Sequence, residues 1–216
     1  MILSTAYFPP VSWFAALASG FTLSPSGDGV DSFPVMIEAC ENYQKQSWRN
    51  RARIMTANGP ETISFPVVHS TDMAITKVMV DYSTPWVVRT QRAISSAYES
   101  SPFFEYYRDE LFAILDSRPE TLWELNIRII EFMISKFRLP VSLVPTTEFL
   151  SPDEGVPDDL RYRIHPKRPD NILSELGLER PYYQVFSSKF GFVGGLSAMD
   201  LLFNMGPESI MFLKRI

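Results

Sequence analysis

The sequence predicts a mixed α/β fold, in which a central mixed β-sheet carries packed helices. Two patterns predict it. The N-terminal part is β-rich, because short apolar runs there alternate with Pro, Gly and Asn-Gly turn signals. The middle of the chain instead repeats apolar residues at helical spacing behind Ser-Pro and Thr-Pro starts, which indicates three consecutive helices. A composition of 45% hydrophobic and 21% charged residues is typical of a globular protein.

The first part of the chain contains most of the predicted strands. Asn58-Gly59 marks a tight hairpin turn, because Asn and Gly adopt the left-handed dihedral angles that such a turn requires. The Gly-, Ser- and Asp-containing stretch at residues 19–32 predicts a loop. In order, we expect a strand at 2–8, a helix at 11–18, a strand at 33–39, a hairpin formed by 48–55 and 61–68, and a strand at 77–82.

Three helices are expected next, beginning near Pro85, Pro102 and Pro119, the third running to Phe137 before Pro140 prevents continuation. Beyond them the pattern predicts strands at 139–146, 160–165 and 182–186, a short helix at 171–176, and terminal helices that begin at Ser197 and after Gly206-Pro207. We expect a single domain over residues 1–216, with a candidate subdomain boundary in the acidic, Pro-containing stretch near 151–159.

Charge and cysteine content exclude several classes of function. A net charge of -5 and a pI of about 5.1 disfavour nucleic acids and anionic membranes as partners. Cys40 is the only cysteine, so an internal disulfide is impossible and a cytoplasmic location is expected. The apolar N-terminus lacks the basic residues of an export signal, since Lys45 is the first Lys or Arg. We expect no membrane span, because every apolar stretch is too short.

Two basic rows are the candidate functional features. If Trp48–Met55 is a strand, Arg49, Arg51 and Arg53 project from one face and suit a small anion such as a phosphate or carboxylate. The same alternation also fits a solvated strand face paired with acidic residues. We call these three arginines the first basic row.

The second basic row comprises Arg161, Arg163 and His165, again at period two, followed by Lys167 and Arg168. Its members either converge with the first row on one anion or lie on a separate exposed strand. Neighbouring arginines would keep His165 neutral, which makes it the weak candidate for a general base; an incidental surface histidine is the alternative.

Other chemistry is not indicated. With His69 and His165 as the only histidines, and with no metal-ligand spacing, we expect no metal site and no cofactor. Cys40 lies beside Glu38 and Glu41, which disfavour a thiolate nucleophile. Gly194-Gly195 precedes a helix start, where capping by Ser197 is favoured over phosphate binding.

The combination of motifs resembles the WbqC-like protein family over nearly the whole chain. The segments that carry the resemblance are LSTAYFPPVSWF, NYQKQSWRNRARI with NGP, SSAYESSPFFEYY, and YYQVF with DLLFNMGPES; QSWRNR and DLLFNMGPE are the most specific. The chain departs from the family pattern at Gly194-Gly195, where members show Pro-Asn. It also lacks a Gly-rich segment of longer members, which implies that part of a substrate pocket is either missing or supplied by a second subunit of a homo-oligomer.

The family is associated with bacterial cell-surface polysaccharide and O-antigen biosynthesis, and some members are described as glycine transferases that act on amino sugars. The resemblance therefore implies a transferase that moves a small acyl or aminoacyl group onto a nucleotide-linked amino sugar. The alternative is a non-catalytic binding or assembly protein that accompanies polysaccharide enzymes. Together with the basic rows, the family resemblance implies a set of ligand-binding residues: Gln46, Trp48, Arg49, Asn50, Arg51, Arg163, Gln184 and Asn204.

Overall fold

The computed structural model describes residues 1–20, 33–151 and 158–214. The loop expected at 19–32 and the candidate boundary near 151–159 therefore lie largely outside the described residues. The elements, in chain order, are β1 (Ile2–Ser4), α1 (Val11–Ser19), β2 (Phe33–Glu38), β3 (Arg51–Thr56), β4 (Gly59–Ser64), α2 (Trp86–Tyr98), α3 (Phe104–Asp116), α4 (Leu122–Lys136), β5 (Val141–Pro145), α5 (Ile172–Glu175), α6 (Ser187–Phe190), α7 (Ala198–Met205), a 3₁₀ turn (Gly206–Ser209) and α8 (Ile210–Leu213).

The mixed α/β class is confirmed, but the described strands form two sheets rather than one mixed sheet. One is parallel, in the order β1-β2-β5, and the other is the antiparallel pair β3-β4. In the parallel sheet Ser4 pairs with Glu38 and Ile37 with Pro145, so the three strands end at a common carboxyl edge. Ligands of open parallel sheets bind beyond that edge, which directs attention to the segments that follow the strands.

The predicted helices and the hairpin are confirmed, with shifted boundaries. The two-residue turn between β3 and β4 is Ala57-Asn58, one residue earlier than the Asn-Gly signal predicted; Gly59 begins β4 with φ +109°, and Asn58 has no positive φ. The hairpin packs against α2, the first of the three middle helices. α1 has buried side chains on all faces, as expected for a helix enclosed by the core rather than lying at the surface.

Three predicted strands are wrong or much reduced. Residues 77–82 make only isolated bridges, at Met79 and Val80. Residues 160–165 form turns, because the buried side chain of Arg161 and the backbone bonds from Arg163 and Ile164 back to Leu160 curl this segment. Residues 182–186 are irregular and lead into α6.

Residues after the predicted boundary near 151–159 return to the parallel sheet. Leu160 N–H donates to the Ile2 carbonyl at 3.0 Å, and Asp159 bridges to Ile2 in parallel fashion. Helices α5, α7 and α8 pack against α1. The single domain over residues 1–216 stays a prediction, and these contacts are the kind it leads us to expect.

Two buried ion pairs lie at the carboxyl edge of the parallel sheet. Glu41 accepts from Arg49 Nε at 2.8 Å and also from Arg49 Nη2, and both side chains are 3% exposed. Glu38, the last residue of β2, pairs with Nη1 of Arg161, and both side chains are fully buried. Asp159 accepts from Nε and Nη2 of Arg161 at 3.0 and 2.6 Å. One short segment of chain therefore binds an arginine from each basic row.

A second buried polar cluster surrounds Asp200 in α7, which is 1% exposed. Its Oδ2 accepts from the Tyr182 hydroxyl at 2.7 Å and from Gln184 Nε2 at 2.9 Å. Burial raises the pKa of the Asp200 carboxyl to about 6, although the bonds from Tyr182 and Gln184 oppose that rise. The Asp200 carboxylate therefore binds Tyr182 and Gln184, although the residue stands three positions after the N-cap Ser197, where a capping box would direct it to the helix end.

The difference in burial between Arg161 and Arg163 gives a stability prediction. Arg161→Met leaves Glu38 and Asp159 without their cation in a buried site, and should lower the free energy of unfolding by about 3–5 kcal/mol. The matched control is Arg163→Met, which removes an exposed pair with Glu175 and should cost below about 1 kcal/mol. Urea unfolding measures both. Equal effects of the two substitutions would contradict the structural role of Arg161.

Asp200 gives a pH prediction. Its pKa is higher in the folded than in the unfolded protein, so the folded state binds more protons and stability falls as pH rises. Between about pH 4 and pH 6 this one group should remove about 3 kcal/mol from the free energy of unfolding. Asp200→Asn cannot titrate, so urea unfolding at several pH values should show wild type losing that amount relative to the variant. Parallel pH profiles would show that Asp200 does not titrate as described.

Candidate anion-binding site

A pocket of about 460 Å³ lies where the hairpin, the N-terminal end of α1 and the segment from His165 to Asp170 meet. We call it the basic pocket. It is lined by Pro10, Trp48, Arg51, Arg53, Thr62, His165, Pro166, Arg168, Asp170 and Gly195. Residues of the first basic row thus face residues of the second across one pocket.

Arg51 and Arg53 supply one wall. Both belong to β3 and share a face, because Ala52 and Ile54 turn into the core on the other. Both are half-buried, and among the described residues neither side chain has an ion-pair or hydrogen-bond partner. Partly desolvated guanidinium groups without a counter-charge favour an anion, which they bind with two parallel hydrogen bonds.

His165 faces this pair with a defined tautomer. The Lys167 backbone N–H donates to its Nδ1 at 3.2 Å, so the proton of the neutral ring is on Nε2. Burial, followed by the charge of Arg168, lowers the pKa of His165, which keeps the ring neutral near pH 7. A neutral ring with its proton on Nε2 donates a hydrogen bond there. The geometry therefore suits binding of an oxygen better than abstraction of a proton.

Arg168 and Asp170 complete the charged lining. Arg168 Nη1 donates to the Tyr162 carbonyl at 3.1 Å. Asp170 is held by two donors, the Ser12 hydroxyl at 2.5 Å and the Ile172 N–H at 3.2 Å. With three arginines against one carboxylate, the lining carries a net positive charge.

The predicted residues of the QSWRNR motif separate in the structure. Trp48 and Arg51 line the basic pocket. Arg49 does not project with Arg51, because β3 begins at Arg51 and the Arg49 side chain turns inward to Glu41. Asn50 donates to the Phe65 carbonyl at 2.9 Å and lines a different groove. Gln46 is exposed in a turn with φ +59°.

The remaining predicted residues also lie outside the basic pocket, except His165. Arg163 is exposed and pairs with Glu175, away from Arg51. Gln184 is buried, where it bonds Asp200 and both backbone groups of Val193. Asn204 is buried in α7 and donates to the Asp200 carbonyl at 2.8 Å. These contacts give the three residues structural partners within the chain.

The DLLFNMGPE motif has a packing explanation at its glycine. Gly206 has φ +53°, and a Cβ there would lie 2.5 Å from the Phe103 ring. Only glycine satisfies both constraints.

Thr62 and Asp170 line the pocket without having been singled out from the sequence. Arg53 and Arg168, in or beside the basic rows, and Gly195, in the Gly194-Gly195 pair, also line it but were not in the predicted ligand-binding set. The alternation with Arg51 was a sufficient signal for Arg53. Arg168 belongs to the second basic row, but its convergence with the hairpin depends on tertiary structure.

Within the described ranges, His, Cys, Asp and Glu side chains form no group of three that could hold a metal ion. No helix in those ranges has the length and apolar character needed to cross a membrane.

Comparison with known proteins places the chain in a family. Residues 25–163, more than half of the chain, match the WbqC-like protein family. The chain is also 27% identical to the uncharacterized protein Rv1507c of Mycobacterium tuberculosis over 204 residues, which cover 80% of this chain and 84% of that relative. No solved structure matches it. On the strength of the family match, the chain is a member of the WbqC-like protein family.

Proposed function

We propose that the protein binds the diphosphate of a nucleotide-linked amino sugar in the basic pocket, and takes part in transferring a small acyl or aminoacyl group onto that sugar during cell-surface polysaccharide biosynthesis. The observation that carries the proposal is the pair Arg51 and Arg53, which are half-buried and lack a carboxylate partner among the described residues. The polysaccharide setting and the transfer chemistry come from the family resemblance.

The charge distribution supports a small anion rather than a polymer. The chain as a whole is acidic, with a net charge of -5, so long-range forces repel nucleic acids and anionic surfaces. Three arginines and one carboxylate instead give a net positive lining to a cavity of about 460 Å³, within the size range of pockets for small ligands.

The other lining groups suit the rest of such a ligand. The Trp48 indole offers an apolar face for a sugar or base ring, while the Thr62 hydroxyl and His165 Nε2–H offer hydrogen bonds. Asp170 can accept from a hydroxyl or an ammonium group, which an amino sugar supplies.

A second candidate function, binding without catalysis, is favoured by the tautomer of His165. Because its Nδ1 already accepts from Lys167 N–H, the neutral ring presents a donor rather than a base. The protein would then hold a nucleotide sugar for another polysaccharide enzyme. Mass spectrometry of UDP-glucosamine incubated with the protein and aminoacyl or acyl donors distinguishes the two, since only a transferase adds mass to the sugar.

Binding should depend on the two unpaired arginines. We expect Arg51→Ala and Arg53→Ala each to weaken UDP-glucosamine and inorganic pyrophosphate by about 10- to 100-fold, since a hydrogen bond to a charged group contributes about 1.5–3 kcal/mol. Isothermal titration calorimetry measures the affinities, and thermal shifts should diminish in parallel.

The matched control is Arg92→Ala, which removes an arginine from the exposed face of α2, outside the basic pocket. It should leave both affinities unchanged. If wild type binds neither probe, or if all three variants behave alike, the basic pocket is not the site of anion binding.

A further inference from the structure

A second, smaller cavity adjoins the basic pocket. It has a volume of about 130 Å³, and we call it the apolar pocket. Asp170 and Gly195 line both cavities, so the two share a wall at these residues. The other residues of the apolar pocket are Val11, Leu173, Ser174, Leu178, Glu179, Arg180, Tyr182, Phe192, Gly194 and Phe212.

Aromatic rings form the floor of this cavity. The Tyr182 ring packs edge-on against Phe192 and Phe212, with centroids 5.1 and 5.7 Å away. The Tyr182 hydroxyl already donates to Asp200, so the residue has its polar group occupied and contributes its ring to the lining. Glu179 and Arg180 also line the cavity, and the Arg180 guanidinium lies over the Phe212 ring, 4.7 Å from its centroid. The aromatic and aliphatic side chains beside them offer van der Waals contact to a group about the size of those that occupy apolar cavities of ~150 Å³.

The shared wall is thin because it contains Gly194-Gly195. A Cβ at Gly195 would lie 3.6 Å from Arg53 Nη1, so the backbone there runs close beside the anion-binding guanidinium. A Cβ at Gly194 would meet only Phe192, at 4.0 Å. The adjacent Val193 is held by Gln184 through both its N–H and its carbonyl, at 2.9 and 3.0 Å, which fixes this wall in place.

We propose that the basic and apolar pockets form one bipartite site for an anion that carries a compact apolar group. The anion lies against Arg51 and Arg53, and the apolar group lies over Tyr182 and Phe192. At the shared wall the Asp170 carboxylate can accept a hydrogen bond from a donor group between the two parts of the ligand.

This inference rests on the proposed function, because it uses the same basic pocket. Beyond that function, it specifies that the anion carries a compact apolar group. In a transfer reaction the apolar part would be the acyl group, so the site favours acyl groups with a hydrocarbon portion over a bare glycyl group.

Two phosphate esters test the inference on wild-type protein alone. At about pH 8 methyl phosphate and phenyl phosphate are both dianions, so they differ in the apolar group and not in charge. Calorimetry should give phenyl phosphate an affinity about 10-fold higher or more, because its ring leaves water for the apolar pocket.

A variant tests whether the apolar pocket is the source of the higher affinity for phenyl phosphate. Gly194→Leu places a side chain in the apolar pocket at a position without a positive φ, and should reduce the preference for phenyl phosphate to below about twofold while methyl phosphate binds as before. Ser188→Leu adds the same side chain at an exposed position of α6 outside both cavities, and should retain the preference.

The outcomes separate the two proposals. If wild type binds both esters equally, the bipartite site is refuted while the basic pocket stands. If wild type binds neither ester, the proposed anion site itself fails. A preference that survives Gly194→Leu in folded protein would place the phenyl group elsewhere and overturn the inference.

Discussion

The arrangement of the candidate site depends on the buried ion pairs at the carboxyl end of β2. Glu38 closes that strand and Glu41 follows it, and their carboxylates bind Arg161 and Arg49 in positions from which water is excluded. A buried carboxylate is tolerated only with a well-placed partner. Each ion pair therefore fixes two chain segments relative to each other, the one that carries the carboxylate and the one that carries the arginine. Because the two arginines come from the two basic rows, this short segment brings the rows together.

The same pairs divide the basic residues into two kinds. Arg49 and Arg161 are neutralised inside the protein and stabilise the turns that contain them. Arg51 and Arg53, which come directly after the first of these turns, face the basic pocket without such a partner among the described residues. His165 and Arg168 follow the second turn and form the opposite side. The positive charge of the pocket lining is the basis of the proposed anion binding, in a protein whose net charge is -5.

The local parts of this arrangement could be predicted from sequence. The hairpin follows from Asn58-Gly59, and the shared face of Arg51 and Arg53 follows from strand alternation. The error at Arg49 has a physical cause. The side-chain alternation of a strand was applied to Arg49, which precedes β3 and lies in a turn whose conformation depends on Glu41. The turn at Arg161 has a local partner in Asp159, which accepts from the Arg161 backbone N–H, but the burial of the Arg161 side chain depends on Glu38, which is 123 residues away in the chain. Likewise Gln184 and Asn204 belong to characteristic motifs but have structural partners inside the chain.

NMR spectroscopy of the arginine Nε–H groups tests the central division between structural and ligand-binding arginines most directly. Titration with inorganic pyrophosphate should shift the resonances of Arg51 and Arg53, whose side chains face the basic pocket. The resonances of Arg49 and Arg161 should stay in place, because their guanidinium groups are buried against carboxylates. Shifts confined to exposed arginines outside the pocket, or no shifts at all, would contradict the account.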